Sequence, residues 1–422
     1  MISVHTSPFA PLGGRDTGGL NVYVTELSRH LAERGVAVDV FTRRSDRTTP
    51  VITEVEDGVR LIQVEAGPAE PLHKDALFCH LPEFATDMAY FAIKHGVRYD
   101  AIHAHYWLSG WAGQLVQRYW DVPLVMMFHT LAHLKNAVAG QDHRETTLRL
   151  QVERRIAELA DAVVAANPDE RVEIIRRLNA PPAAVHTIPL GVDLNHFRPD
   201  DSRAARRALG LPDGPLVLYV GRIDPVKGID TLFDAFARLV YDREWLERPP
   251  RLVFVGGLIR DGIGGSVADA DLDALAARAA ALGLSDHVLF HGAQPRERLP
   301  LYYNAVDVCA VPSRYESFGL VAVEAMACGT PVVASDVGGL RYSVEDEVSG
   351  LLVPHSDPVA LSGALARALT DHDLRSRMMV GARQSAVGYS WHAVTSAVLD
   401  VYANLVPAQR ISPDVAEEIY AS

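Results

Sequence analysis

Two carboxylates eight positions apart, Glu316 and Glu324, flank the glycine turn Ser317-Phe318-Gly319-Leu320, and the run from Ala325 to Val333 is small and apolar. Eight residues is slightly over two helical turns, so two helical glutamates would share a face. A better fit places Glu316 in a loop, Gly319 at a helix start and Glu324 in the second turn. Both acids then border a helix N-terminus, whose exposed N–H groups and positive dipole end suit an anion such as phosphate. Carboxylates repel phosphate, so they must serve hydroxyl-rich parts of the same ligand, ribose or hexose. Phosphate, ribose and hexose together make a nucleotide sugar.

Four further constellations carry chemistry. Gly221-Arg222-Ile223-Asp224-Pro225-Val226-Lys227-Gly228 sets two cations, Arg222 and Lys227, after an apolar run, where a diphosphate could be neutralised. Lys227 falls at the start of the next helical pattern, a poor place for a cation unless an anion binds there. Gly13-Gly14-Arg15-Asp16-Thr17-Gly18-Gly19 precedes another helical pattern, and its glycines permit close backbone approach to phosphate. It matches neither G-x-G-x-x-G nor G-x-x-x-x-G-K-[ST], and a surface loop is the alternative. His103-Ala104-His105 and the segment His129 to His133 each end an apolar run. An H-x-H pair can ligate zinc, so a metal-dependent hydrolase built on His103 and His105 is one reading. No acidic ligand follows at a metal-site spacing, which favours core or cleft histidines. Asp269-Ala270-Asp271-Leu272-Asp273 contains a D-x-D that can hold a divalent ion, but it directly precedes a helical pattern and reads as capping and dipole compensation. Lys74, Tyr106, Thr130, Lys135 and Arg149 are scattered near strand ends and helix faces, and spacing alone gathers none of them into a site.

The elements that must position these residues alternate between short apolar runs and helical patterns, the signature of parallel βαβ units. The first half predicts strands at Val36–Phe41, Leu61–Glu65, Ala101–Ala104, Leu124–Phe128, Ala162–Ala165 and His186–Pro189. Helices are expected at Asn21–Arg34, Leu77–Lys94, Leu108–Trp120 and Glu145–Leu159. The segment Gly191 to Pro199 interrupts both periodicities and reads as an interdomain hinge. The series restarts with strands Leu216–Val220, Leu252–Val255, His287–Phe290, Val306–Val311, Pro331–Ala334 and Leu351–Val353. Its helices are Ile229–Tyr241, Asp271–Leu282, Arg296–Asn304, Val321–Cys328 and Pro358–Leu369. This gives an α/β domain over residues 1–192 and a second over 193–390. A final helix, Trp391–Leu405 within 391–422, either closes the second domain or packs back on the first. Doubly wound sheets bind ligands at the carboxyl ends of their strands. The first strand, Ile2-Ser3-Val4, is unusually short.

Composition sets the outer bounds. The 422 residues suggest two domains of about 200 each. Hydrophobic residues at 48% and charged residues at 22% are those of an α/β protein, and a net charge of −13 argues against nucleic acid as a partner. Cys79, Cys309 and Cys328 read as buried thiols in a reducing compartment. No apolar run approaches the roughly 20 residues of a membrane span, and no signal peptide precedes the first motif, so a cytoplasmic protein with no membrane partner is expected.

With these motifs in place, the chain resembles the retaining glycosyltransferases of family 4. Their GT-B fold is two doubly wound Rossmann-like domains facing across a cleft. The likeness runs from residue 3 to 405, and Glu316 and Glu324 match the group's E-x7-E pair. Asp16-Thr17-Gly18-Gly19-Leu20-Asn21-Val22-Tyr23-Val24, the stretch His103 to Gly110 and the stretch His129 to Lys135 narrow it to two branches. One glycosylates an inositol phosphate and the other makes sucrose phosphate, both from a UDP-sugar. The resemblance therefore implies transfer of a hexose from UDP-glucose or UDP-N-acetylglucosamine to a small phosphorylated sugar or polyol, with retention. It implies no cofactor and no metal requirement.

By position, Glu324 would bind the ribose of UDP and Glu316 the donor hexose, aided by the backbone of Phe318, Gly319 and Leu320. Arg222 and Lys227 would grip the diphosphate, with Gly14 and Gly19 closing over it. His129 would lie against the donor sugar near its anomeric carbon. Lys74, Tyr106, Thr130 and Arg149 match the acceptor-phosphate site of the inositol-phosphate branch, Lys135 a basic position of the other, and Asn21 is a further acceptor candidate. His133 departs from both branches and leaves acceptor identity open. The oligomeric state is open too, a homodimer included. The reading from another class is a non-catalytic nucleotide-sugar binding protein. The two cations weigh against it, because sensing needs no leaving-group stabilisation.

Overall fold

The computed structural model describes residues 1–10, 18–138, 144–241, 248–257 and 270–406, and the chain divides into two compact units. Of the described residues, the first takes 1–10 and those from 18 to Leu190 together with the helix Trp391–Leu405, and the second runs from Gly191 to Ser390.

The first unit begins with α1 (Gly19–Ala32), β1 (Val38–Arg43), β2 (Ile52–Glu56), β3 (Val59–Val64) and α2 (Leu81–His95). It continues through β4 (Ile102–His105), α3 (Trp107–Trp120), β5 (Leu124–Met127), α4 (Ala132–Val138), α5 (Thr147–Leu159), β6 (Ala162–Ala165), α6 (Pro168–Leu178) and β7 (Val185–Thr187). Strands β4-β5-β6-β7 are parallel neighbours, and β1 pairs parallel with β3, whose other edge carries β2 antiparallel. Ile2 joins the two ribbons, bridging Phe41 on one side and Ala104 on the other. The Ile2 amide donates to His103 O and the Ser3 amide to Phe41 O, both at 2.9 Å. The short first strand is thus a single ladder step in the middle of the sheet. Every residue of β4, β5 and β6 is buried, the pattern of a parallel sheet covered on both faces, which is why β5 and β6 read as unbroken apolar runs and β4 carries two buried histidines.

The second unit contains α7 (Ser202–Leu209), β8 (Leu216–Val220), α8 (Ile229–Tyr241), β9 (Arg251–Val255), α9 (Ala270–Ala281), β10 (Val288–Phe290) and α10 (Leu299–Ala305). Then come β11 (Val308–Val311), α11 (Leu320–Ala327), β12 (Val332–Ser335), α12 (Leu340–Ser343), β13 (Gly350–Val353), α13 (Pro358–Thr370) and α14 (His372–Val387). The strand order is β10-β9-β8-β11-β12-β13, and every pairing is parallel. The winding direction reverses between β8 and β11, so the loops leaving these two strands diverge and leave a crevice at their carboxyl ends. Arg222 and Lys227 follow β8, and Glu316 follows β11.

The last described helix, α15 (Trp391–Leu405), packs on α1: Trp391 and Tyr23 have ring centroids 5.6 Å apart, and Arg34 reaches Ser396 Oγ at 2.8 Å. One sequence expectation is corrected here. Cys309 and Cys328 are buried, but Cys79 is exposed, because it stands on a short 3-10 turn before α2 rather than in an apolar element. Asp271 and Asp273 lie in the first turn of α9, while Asp269 is outside the described residues. Among the described residues, no helix is long and apolar enough to cross a membrane.

Candidate active site

In the second unit, Gly319 caps α11 with φ +97°, a left-handed conformation that suits glycine, and a Cβ there would meet Leu340 Cδ2 at 2.6 Å. The turn delivers Glu316 before the helix and Glu324 into its second turn. Lys227 donates to Glu316 Oε2 at 2.6 Å and Ser313 Oγ to the same oxygen at 3.2 Å, so the two strand-end loops are tied together by one carboxylate. The Gly339 amide donates to Glu316 O at 3.0 Å, and a Cβ on Gly338 would stand 2.1 Å from that oxygen. Asp224 Oδ1 accepts from the Val226 amide at 2.9 Å, shaping the 3-10 turn that ends at Lys227, and its other oxygen lies 3.7 Å from Arg222 Nη2.

Glu324 differs from Glu316. It is 4% exposed, accepts from Tyr303 OH at 3.0 Å, and pairs with Arg296 Nη2 at 3.2 Å. Burial pushes its pKa up, against the pull of Arg296. Sequence reasoning missed Arg296, Tyr303 and Ser313. Arg296 lies in Gln294-Pro295-Arg296-Glu297-Arg298, where no spacing singles it out.

In the first unit, the scattered residues converge. Arg149 is 1% exposed. Its Nη2 donates to Thr130 O and Oγ1 at 2.8 and 3.1 Å, its Nη1 to Tyr106 OH at 3.0 Å, and its Nε to Glu153 Oε1 at 2.7 Å. Glu145 Oε1 sits 2.9 Å from Arg149 Nη1 and 2.5 Å from Lys135 Nζ. Lys74 is near enough for its charge to act on Glu145 and His5. Tyr106, the cap between β4 and α3, has φ 78° and ψ 155°, a region nearly confined to glycine and worth about 1–3 kcal/mol of strain. The Arg149 guanidinium also lies over the Tyr106 ring, 4.8 Å from its centroid.

His129 follows β5, also at positive φ (60°), with Nε2 3.1 Å from His105 Nδ1. Burial, and then the charge of His5, hold its pKa at about 3, so it is neutral. His133, the departure from both branches, pairs with Glu173 at 2.8 Å. Asn21 is buried, with its amide bonded to Ser7 O, Thr6 Oγ1 and the Gly18 amide, so it staples the loop before α1. Gly19 is the first residue of α1, and Gly14 lies outside the described residues. His103 turns away from the cluster: its Nδ1 meets Tyr402 OH at 2.7 Å. Its ring lines a cavity of about 510 Å³ at the amino-terminal ends of β1 and β4, opposite the strand ends that carry the site. Among the described residues, no three His, Cys, Asp or Glu side chains converge as metal ligands.

Two doubly wound α/β units, each with charged side chains gathered at strand carboxyl ends, define a GT-B glycosyltransferase. Residues 17–196 match the family described as Glycosyltransferase Family 4, and residues 201–385 match Glycosyl transferases group 1. The chain belongs to glycosyltransferase family 4. It is 44% identical over 418 residues to D-inositol 3-phosphate glycosyltransferase of Kineococcus radiotolerans, covering 96% of this chain and 95% of the relative. The solved sucrose-phosphate synthase of Thermosynechococcus elongatus superposes with a TM-score of 0.85 at 38% identity, covering 96% of this chain and 98% of that one. Anabaena HepE in complex with UDP and glucose shares the fold, with a TM-score of 0.73 at 20% identity over 96% of this chain and 99% of that one.

Proposed function

We propose that this glycosyltransferase moves a hexose from a UDP-sugar, UDP-glucose or UDP-N-acetylglucosamine, to a hydroxyl of a small phosphorylated polyol or sugar with retention at the anomeric carbon. The observation that carries the donor side is the Lys227–Glu316 pair beside the amino end of α11, with Glu324 fixed in the helix behind it. A diphosphate leaving group gains negative charge as the glycosidic bond breaks. Two cations and a helix N-terminus aimed at it stabilise the transition state more than the ground state. Glu324 accepts the ribose hydroxyls and Glu316 the hexose hydroxyls. The acceptor attacks from the face the diphosphate leaves, and a donor phosphate oxygen takes its proton. Arg222 and Lys227 supply the charge that a divalent ion would otherwise bring, so no metal is needed.

Arg149, Lys135, Tyr106, Thr130 and Lys74 suit an acceptor phosphate, and the names of the relatives, acting on inositol 3-phosphate or making sucrose phosphate, support that class. The test is a matrix of both UDP-sugars against inositol 3-phosphate, fructose 6-phosphate and their unphosphorylated counterparts, with and without EDTA. Turnover confined to phosphorylated acceptors and insensitive to EDTA is expected. Preference for the neutral acceptors would overturn the acceptor reading, and complete, magnesium-reversible loss in EDTA would overturn the metal-free one.

A further inference from the structure

Resting on the acceptor-phosphate reading, we propose that Glu145 is a built-in counter-ion of that site, which must leave its cations before an anionic acceptor can bind. Arg149 has all three nitrogens engaged, on Glu153, Tyr106, Thr130 and Glu145. A phosphate that binds this guanidinium has to displace one of them. Glu153 cannot give way: its side chain is fully buried, and its other oxygen accepts from the Ala132 amide at 3.0 Å. Tyr106 is buried with its ring packed on His5 at 4.4 Å between centroids, and Thr130 contributes its carbonyl as well as its hydroxyl.

Glu145 is the exchangeable partner. It precedes the cap of α5, where Thr146 Oγ1 accepts from the Arg149 amide at 3.2 Å, so its side chain can swing without unwinding the helix. It also bridges to Lys135, whose side chain is 28% exposed, and so spans the two cations from the solvent side. Burial alone would raise its pKa, but Arg149 and Lys135 outweigh burial and hold it at about 2. Protonation therefore does not open the site at neutral pH, and a competing anion must. A dianionic phosphate outcompetes one carboxylate for a lysine and an arginine, whereas a neutral sugar does not. Glu145 would thereby set acceptor class by exclusion.

The experiment uses the full chain with inorganic phosphate as probe, titrated calorimetrically, and acceptor kinetics alongside. Glu145→Gln is expected to tighten phosphate by about fivefold or more, in the range of an ordinary coupling, and to lower acceptor KM without moving donor KM. A merely structural Glu145 predicts the opposite, looser phosphate and a higher acceptor KM, which would overturn the proposal, as would unchanged phosphate affinity. Lys135→Gln separates the two layers. If it weakens phosphate while Glu145→Gln fails to tighten it, the counter-ion idea falls and the anionic-acceptor reading stands. If phosphate binds neither the wild type nor Glu145→Gln, both fall.

Discussion

Acidification should destabilise the first unit selectively, and the size of the effect can be worked from two side chains. His103 and His105 are 2% and 0% exposed. Burial, and then neighbouring positive charge, hold His103 at about 3 and His105 well below the ordinary value. A base whose folded pKa is depressed stays neutral while the unfolded chain takes up the proton. Stability is therefore intact above about pH 6.5 and is lost as pH falls toward the folded values. At pH 5.5 the unfolded imidazole is about nine-tenths protonated and the folded one is not, so each histidine costs about 1.4 kcal/mol. Together they remove about 3 kcal/mol, a large share of an ordinary stability of about 5–15 kcal/mol. His5 and His129, also held at about 3, act in the same direction. For a unit of this size the loss corresponds to a Tm lower by roughly 6–12 °C at pH 5.5 than at pH 7.5. Tryptophan emission reads mainly this unit, because Trp107, Trp111, Trp120 and Trp391, four of the chain's five tryptophans, belong to it. His103→Gln should shrink the pH-dependent part of the shift by about a quarter to a half. A Tm that is flat or rises between pH 7.5 and 5.5 would refute the buried, neutral histidines.

The remaining expectations concern the ligand groups. Lys227→Ala should lower kcat by about 10²-fold or more, measured with UDP-sugar turnover under saturating substrate, as removal of one oxyanion donor does elsewhere; a change confined to donor KM would mean that Lys227 binds the ground state only. In Gly338→Ala the new Cβ would fall 2.1 Å from Glu316 O at a positive φ, so donor kcat/KM should drop while far-UV circular dichroism stays native, and wild-type kinetics would contradict the position assigned to Glu316. Tyr106→Phe removes one acceptor from Arg149 and should raise acceptor KM several-fold with donor KM unmoved, as steady-state kinetics would read. Arg296→Met leaves the buried Glu324 without its cation and should lower stability by about 3–5 kcal/mol in urea titrations; an unchanged midpoint would show that Glu324 protonates freely.

What the sequence could and could not convey follows from the same physics. Strands β4, β5, β6, β8 and β9 are buried on both faces, so their apolar runs marked them within a residue or two. β2 escaped notice because four of its five residues are exposed and its run Thr53-Glu54-Val55-Glu56 carries little apolar signal. Helix α6 escaped because it is mainly charged and α14 because charged, polar and small residues break up its apolar positions, with caps Asn167 and Asp371 as their legible signals. On the donor side, the E-x7-E pair and the Arg222/Lys227 loop sit on two adjacent strand ends at the switch point, so local sequence nearly suffices. On the acceptor side, Tyr106, Thr130 and Arg149 come from three separate elements. The spacing Glu145, Arg149, Glu153 at i, i+4, i+8 went unread as an ion ladder, and nothing in it shows that Arg149 would meet Tyr106 and Thr130.

The ion pairs themselves sort the charged residues into scaffold and ligand groups. Lys227–Glu316 and Lys135–Glu145 keep 25% and 18%, and 28% and 10%, of their side-chain surfaces exposed. Arg149–Glu153 keeps 1% and 0%, and Arg296–Glu324 keeps 14% and 6%. A partly solvated pair contributes about 1 kcal/mol or less, so an incoming anion or hydroxyl can replace one partner at little loss. A buried pair leaves an uncompensated charge if it opens, a penalty of about 3–5 kcal/mol that a ligand contact does not offset. The two glutamates eight residues apart therefore have unequal parts to play. Glu324 is a fixed acceptor that its arginine and tyrosine orient. On the proposed donor reading, Glu316 would loosen from Lys227 as the diphosphate arrives, and its release would couple donor binding to the charge that the departing group needs.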